Sequence, residues 1–84
     1  MKTMTLSVTN SVGLSSQPVC TFIQRANQFH SQLHIDYQGQ RVNAKSLLGV
    51  LSLNIPTGSQ IVLTADGPDE AEALDQLSHL LQAL

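Results

Sequence analysis

The stretch Gln32-Leu33-His34-Ile35-Asp36-Tyr37-Gln38-Gly39-Gln40-Arg41-Val42-Asn43 decides the fold class. Leu33, Ile35 and Tyr37 alternate with Gln32, His34 and Asp36, so an extended chain here has one apolar and one polar face. Gln38-Gly39 then makes a tight turn into a short strand around Gln40 to Asn43. Strands that each carry a single apolar face imply an antiparallel sheet with helices covering that face.

The sequence on either side supplies those helices. Toward the N-terminus, Thr3 to Thr9 alternates strictly, with Met4, Leu6 and Val8 on one face of a further strand. Asn10 to Ser16 is a Ser/Gly/Asn-rich loop. Val19, Phe22, Ile23 and Ala26 fall at helical spacing, with Pro18 in the first turn and Ser15 or Ser16 as the N-cap. Toward the C-terminus, Ser46 precedes a short helical run from Leu47 to Leu53, and Asn54 to Ser59 is a loop. Gln60 to Asp66 is a fourth strand with Ile61, Leu63 and Ala65 on one face. Asp69 and Glu72 have capping-box spacing before a last helix, whose stripe is Ala73, Leu77, Leu80 and Leu84 with Leu74 and Leu81 beside it. The order is β-α-β-β-α-β-α, a two-layer α+β domain spanning residues 1–84, with no internal repeat or linker.

Composition narrows the function classes. With 84 residues there is room for one small domain. The net charge is -2, and the four cations Lys2, Arg25, Arg41 and Lys45 are scattered, which argues against a phosphate backbone as partner. Aromatic residues for base stacking are limited to Phe22, Phe29 and Tyr37. A single cysteine excludes an intramolecular disulfide and suggests a reducing compartment. No run approaches the roughly 20 apolar residues of a membrane span, and residues 1–10 lack a signal-peptide apolar block. A cytoplasmic protein with neither a membrane nor a direct nucleic-acid partner is expected.

Catalytic constellations are missing. There is no Gly-rich phosphate loop with a lysine, and no cysteine pair. His30 and His34 straddle a helix end and a strand start, so they do not share a helical face as a metal pair requires. His79 falls on the outer side of the last helix. These histidines read as structural or solvated, with no metal and no cofactor. Cys20, beside the apolar stripe of the first helix, is expected to be a buried and unreactive thiol.

Two loop-to-helix junctions remain. At Gly13-Leu14-Ser15-Ser16-Gln17-Pro18 there are two readings: the free N–H groups of a helix start attract an anion, or a serine simply caps the helix. At Asn43-Ala44-Lys45-Ser46-Leu47-Leu48-Gly49-Val50-Leu51-Ser52-Leu53, Leu47, Leu48 and Leu51 cluster on one side of a helical wheel while Val50 and Leu53 point roughly the other way. A short surface helix buries one such face in its own core. The other is either ordinary surface or a partner's docking face.

At these junctions the chain resembles HPr, the histidine-containing phosphocarrier of the bacterial sugar phosphotransferase system. The resemblance runs from about Thr3 to Leu81. Family members carry Gly-Leu-His-Ala-Arg-Pro where this chain has Gly13 to Pro18, and an Asn-Ala-Lys-Ser segment followed by apolar residues and Gly, which Asn43 to Gly49 reproduces. The resemblance implies an open-faced β-sandwich, a four-stranded antiparallel sheet with three helices on one face.

In the family, the histidine of the first motif accepts phosphate from enzyme I and passes it to sugar-specific components. Ser15 stands there in this chain, followed by Ser16, and Gln17 replaces the neighbouring arginine. A serine hydroxyl lacks the nucleophilicity of imidazole near neutral pH, and its phosphate ester lacks the transfer potential of phosphohistidine. The first site therefore reads as degenerate, and the chain as neither a working phosphocarrier nor an enzyme. The second motif is intact. In Gram-positive members an ATP-dependent HPr kinase/phosphorylase modifies the serine matching Ser46, and the product is corepressor for a LacI-type catabolite control regulator.

A catabolite-repression HPr-like branch lacks the active histidine and keeps this serine. The chain is similar to that branch, although the branch usually retains the arginine that Gln17 replaces. The resemblance implies a regulatory phosphoprotein modified on Ser46, with Lys45, Leu47, Leu48 and Leu51 in the protein-binding surface. The alternatives are a diverged HPr that docks enzyme I or sugar-specific components without carrying phosphate, and a degenerate copy.

Overall fold

A computed structural model describes residues 1–9 and 17–83. Its elements are β1 (Lys2–Ser7), α1 (Gln17–Ala26), β2 (Gln32–Tyr37), β3 (Gln40–Asn43), α2 (Leu47–Ser52), β4 (Gln60–Asp66) and α3 (Glu70–Ala83). The sheet order is β1-β4-β2-β3, antiparallel throughout. The hairpin that set the fold class closes with Tyr37 opposite Gln40. Its two turn residues have φ of 50° at Gln38 and 81° at Gly39, the left-handed pair that matches the twist of the flanking strands.

The alternating pattern sorts the sheet into two faces. Leu33, Ile35, Ile61, Leu63 and Ala65 are buried beneath the helices together with Leu6 and Val8. Val19, Phe22, Ile23 and Ala26 of α1 join the same core, as do Val50, Leu53 and Ile55. The opposite face carries polar side chains. Thr64 is nevertheless only 4% exposed, because β4 is an inner strand and Thr64 lies between Thr3 of β1 and His34 of β2.

Three expectations need correction. Cys20 is exposed, not buried. At roughly 100° of rotation per residue it stands well to one side of the stripe centred on Val19, Phe22, Ile23 and Ala26. The buried stripe of α3 is Ala73, Leu74, Leu77 and Leu81. Leu80 is half-buried at its margin, since the helix is rotated toward Leu74 and Leu81. Leu84 lies outside the described residues.

The third correction concerns the cap of α3. Glu72 does not return to Asp69; its Oε1 accepts from Gln76 Nε2 at 2.9 Å. Glu70 makes the reciprocal contact instead, accepting from Gly67 N–H at 3.3 Å. The Asp69 carboxylate turns toward the start of β2, where it accepts from His30 N at 2.8 Å, Ser31 N at 2.9 Å and Ser31 Oγ at 2.5 Å. Asp69 thus fastens the entry of β2 to the start of α3.

The Ser31 hydroxyl and then the His30 N–H hold the Asp69 carboxyl down at about 2, from an ordinary 3.8. A depressed folded-state pKa gives stability that is complete above the unfolded value and lost as pH falls through the folded one. Urea midpoints for the wild type and Asp69→Asn are therefore expected to differ near neutrality and to converge as pH drops from 3.8 to about 2. A constant difference across that window would show that the carboxylate charge is not what matters.

Candidate functional site

Ser46 ends the connection from β3 and caps α2. Its backbone is extended (φ -101°, ψ 114°), and its Oγ accepts from Gly49 N–H at 3.2 Å. Its carbonyl receives Val50 N–H at 3.0 Å, starting the helix. This is N-cap geometry, as the position before the leucine run predicts. The side chain is half-exposed. Gly49 keeps the space open, because a Cβ there would stand 3.3 Å from Ser46 Oγ.

Burial divides the α2 leucines. Val50 and the C-cap Leu53 are in the core, while Leu48 is 80% exposed and Leu47 39% exposed. Leu51, grouped with them in the sequence, is half-buried and packs against the core. The outward apolar surface is thus Leu47 and Leu48, directly after the Ser46 hydroxyl. Among the described residues these and Met1 are the exposed large hydrophobics.

Lys45 is also half-buried. Its ammonium donates to the Phe29 carbonyl at 2.7 Å, its N–H to Asn43 Oδ1 at 2.8 Å, and its carbonyl accepts from Asn27 Nδ2 at 3.2 Å. Asn27 had no role in the sequence reading. An asparagine just past a helix is a known stop signal, but its second bond, to Lys45, joins elements that periodicity does not connect. A cleft of about 390 Å³ opens beside Lys45, lined by Gln32, Leu33, His34 and Asn43.

At the other junction, Ser15 and Ser16 lie outside the described residues, and of Gln17 only its place at the start of α1 is described. His79 is exposed, with Nδ1 2.8 Å from Asp75 O. Among the described residues no group of three His, Cys, Asp or Glu is placed to hold a metal ion, and no helix is long and apolar enough to cross a membrane.

Residues 2–83 match the family model described as the PTS HPr component phosphorylation site. The chain is 43% identical over 70 residues to the HPr-like protein Crh of Bacillus subtilis (strain 168), which covers 83% of this chain and 82% of that one. It is 46% identical over 65 residues to the HPr-like protein Crh of Halalkalibacterium halodurans, covering 77% of each. The fold superposes on the crystal structure of HPr-C-His from Thermoanaerobacter tengcongensis with a TM-score of 0.96 and 37% identity, over 99% of this chain and 93% of that one. The resemblance and the expected α+β architecture hold.

Proposed function

The chain belongs to the HPr family of the phosphotransferase system, a family of phosphorylated proteins and not of catalytic enzymes, and on that premise we propose that it is a regulatory phosphoprotein of carbon catabolite control. It acts as a single cytoplasmic HPr-like domain. Ser15, Ser16 and Gln17 replace the His-Ala-Arg of the family motif, so phosphate from enzyme I is not carried. Ser46 is the acceptor used instead.

In that reaction Ser46 Oγ attacks the γ-phosphorus of ATP. The new O–P bond replaces the bond to the β–γ bridging oxygen, ADP leaves, and the hydroxyl proton passes to a base of the HPr kinase. The observation that carries the reading is the half-exposed Ser46 hydroxyl beside the exposed Leu47 and Leu48. Phosphate there adds about -1.5 to -2 charges and new acceptor oxygens at the edge of an apolar patch. A LacI-type catabolite control regulator reads both, with a cation over the phosphate and an apolar groove for the leucines.

Burying a leucine fully is worth about 1.5–3 kcal/mol, and Leu48 is almost entirely available. Leu48→Ala is therefore expected to weaken calorimetric binding of the phosphorylated chain to the regulator by about tenfold. Leu47→Ala, already partly covered, weakens it less. Leu48→Ala should move folding stability by no more than about 0.5 kcal/mol, since Leu48 is a surface side chain. Equal affinities for wild type and both variants would remove the leucine patch from the interface.

A further inference from the structure

We infer that Asn27 is a positioning residue for Ser46, fixing from the end of α1 the peptide unit that delivers the serine to its kinase. The inference rests on Ser46 being the phosphoacceptor. One side-chain NH2 group donates to two carbonyls, Ile23 O at 2.9 Å in the last turn of α1 and Lys45 O at 3.2 Å. On the same peptide unit the Ser46 N–H donates to Asn43 O at 3.0 Å. Both polar groups of the Lys45–Ser46 peptide are thus held, which fixes its plane and hence the direction from which the Ser46 side chain departs.

Lys45 strengthens the tie from its other end, with its ammonium on Phe29 O and its N–H on Asn43 Oδ1. Two asparagines and a lysine join α1, β3 and the Ser46 cap around a short connection whose own helix is only six residues long. So short a helix has little intrinsic stability. The cap residue's geometry must come from such contacts. A hydroxyl already in place spares the kinase the ordering cost, and loss of that order reduces the competent fraction and raises the apparent KM in proportion. Asn27 is itself exposed, so its loss leaves the core intact.

The test compares the wild type with Asn27→Ala and with Asn27→Asp, which keeps the shape but removes the donor. Amide exchange by NMR is expected to quicken about tenfold at Ser46 and Gly49, with Leu77 and Leu81 in α3 unchanged. With an HPr kinase and ATP, KM for the protein substrate rises about five- to tenfold while kcat stays within about twofold. Unchanged exchange at Ser46, or faster exchange with an unchanged KM, would overturn the positioning role. A wild type that is not phosphorylated at all would sink the Ser46 reading instead, and the exchange data separate these two failures.

Discussion

Gly67→Ala is expected to lower the melting temperature by roughly 5–20 °C. Gly67 joins β4 to α3, and a Cβ there would lie 2.6 Å from Ser31 Cα and 2.7 Å from Ser31 Oγ. Ser31 is completely buried, and the Asp69 carboxylate grips both its N–H and its hydroxyl. The obstructing atom is backbone, so no rotamer change relieves the clash. Overpacking of this kind costs about 1–3 kcal/mol, and in a domain of this size each kcal/mol moves Tm by about 4–8 °C. Thermal unfolding followed by circular dichroism reads the effect. A shift below about 3 °C would mean that the β4–α3 turn yields more readily than this contact implies.

Ser46→Ala is expected to have the largest functional effect. It removes the acceptor oxygen, so kinase and ATP add no phosphate at this position. Regulator affinity falls to that of the unmodified protein, about 100-fold below the phosphorylated form. That factor corresponds to about 3 kcal/mol, the worth of one or two hydrogen bonds to a charged group. The loss does not come from unfolding, because removing a serine N-cap costs about 1 kcal/mol. Calorimetry on kinase-treated protein, with a melting curve as control, measures both effects. Strong regulator binding retained by kinase-treated Ser46→Ala would place the signal elsewhere in the chain.

Much of the architecture was legible because each element announces its period. The alternation at Leu33, Ile35 and Tyr37 gave β2, and the buried Ile61, Leu63 and Ala65 follow the same rule in β4. What periodicity misjudged were margins and partners. Cys20 sits next to an apolar stripe in sequence yet a quarter-turn from it in space. Asp69 and Glu72 have capping-box spacing, but the Asp69 carboxylate finds the N–H groups of His30 and Ser31, far away in sequence.

The candidate site divides the same way. The Ser46 cap was readable, since a serine before an apolar run is a local signal. Its support was not, because the Asn27 to Lys45 bond spans 18 residues and depends on how α1 packs beside α2. The wheel that grouped Leu51 with Leu47 and Leu48 placed all three on one side. Packing then drew Leu51 onto the core and left the other two outside.

The decisive measurement is incubation of the purified chain with ATP and a Gram-positive HPr kinase, with an authentic HPr in parallel, followed by mapping of the phosphate by mass spectrometry. A regulatory phosphoprotein gains one phosphate, on Ser46. No phosphate on this chain while the authentic HPr is labelled, or phosphate confined to another residue, would contradict it.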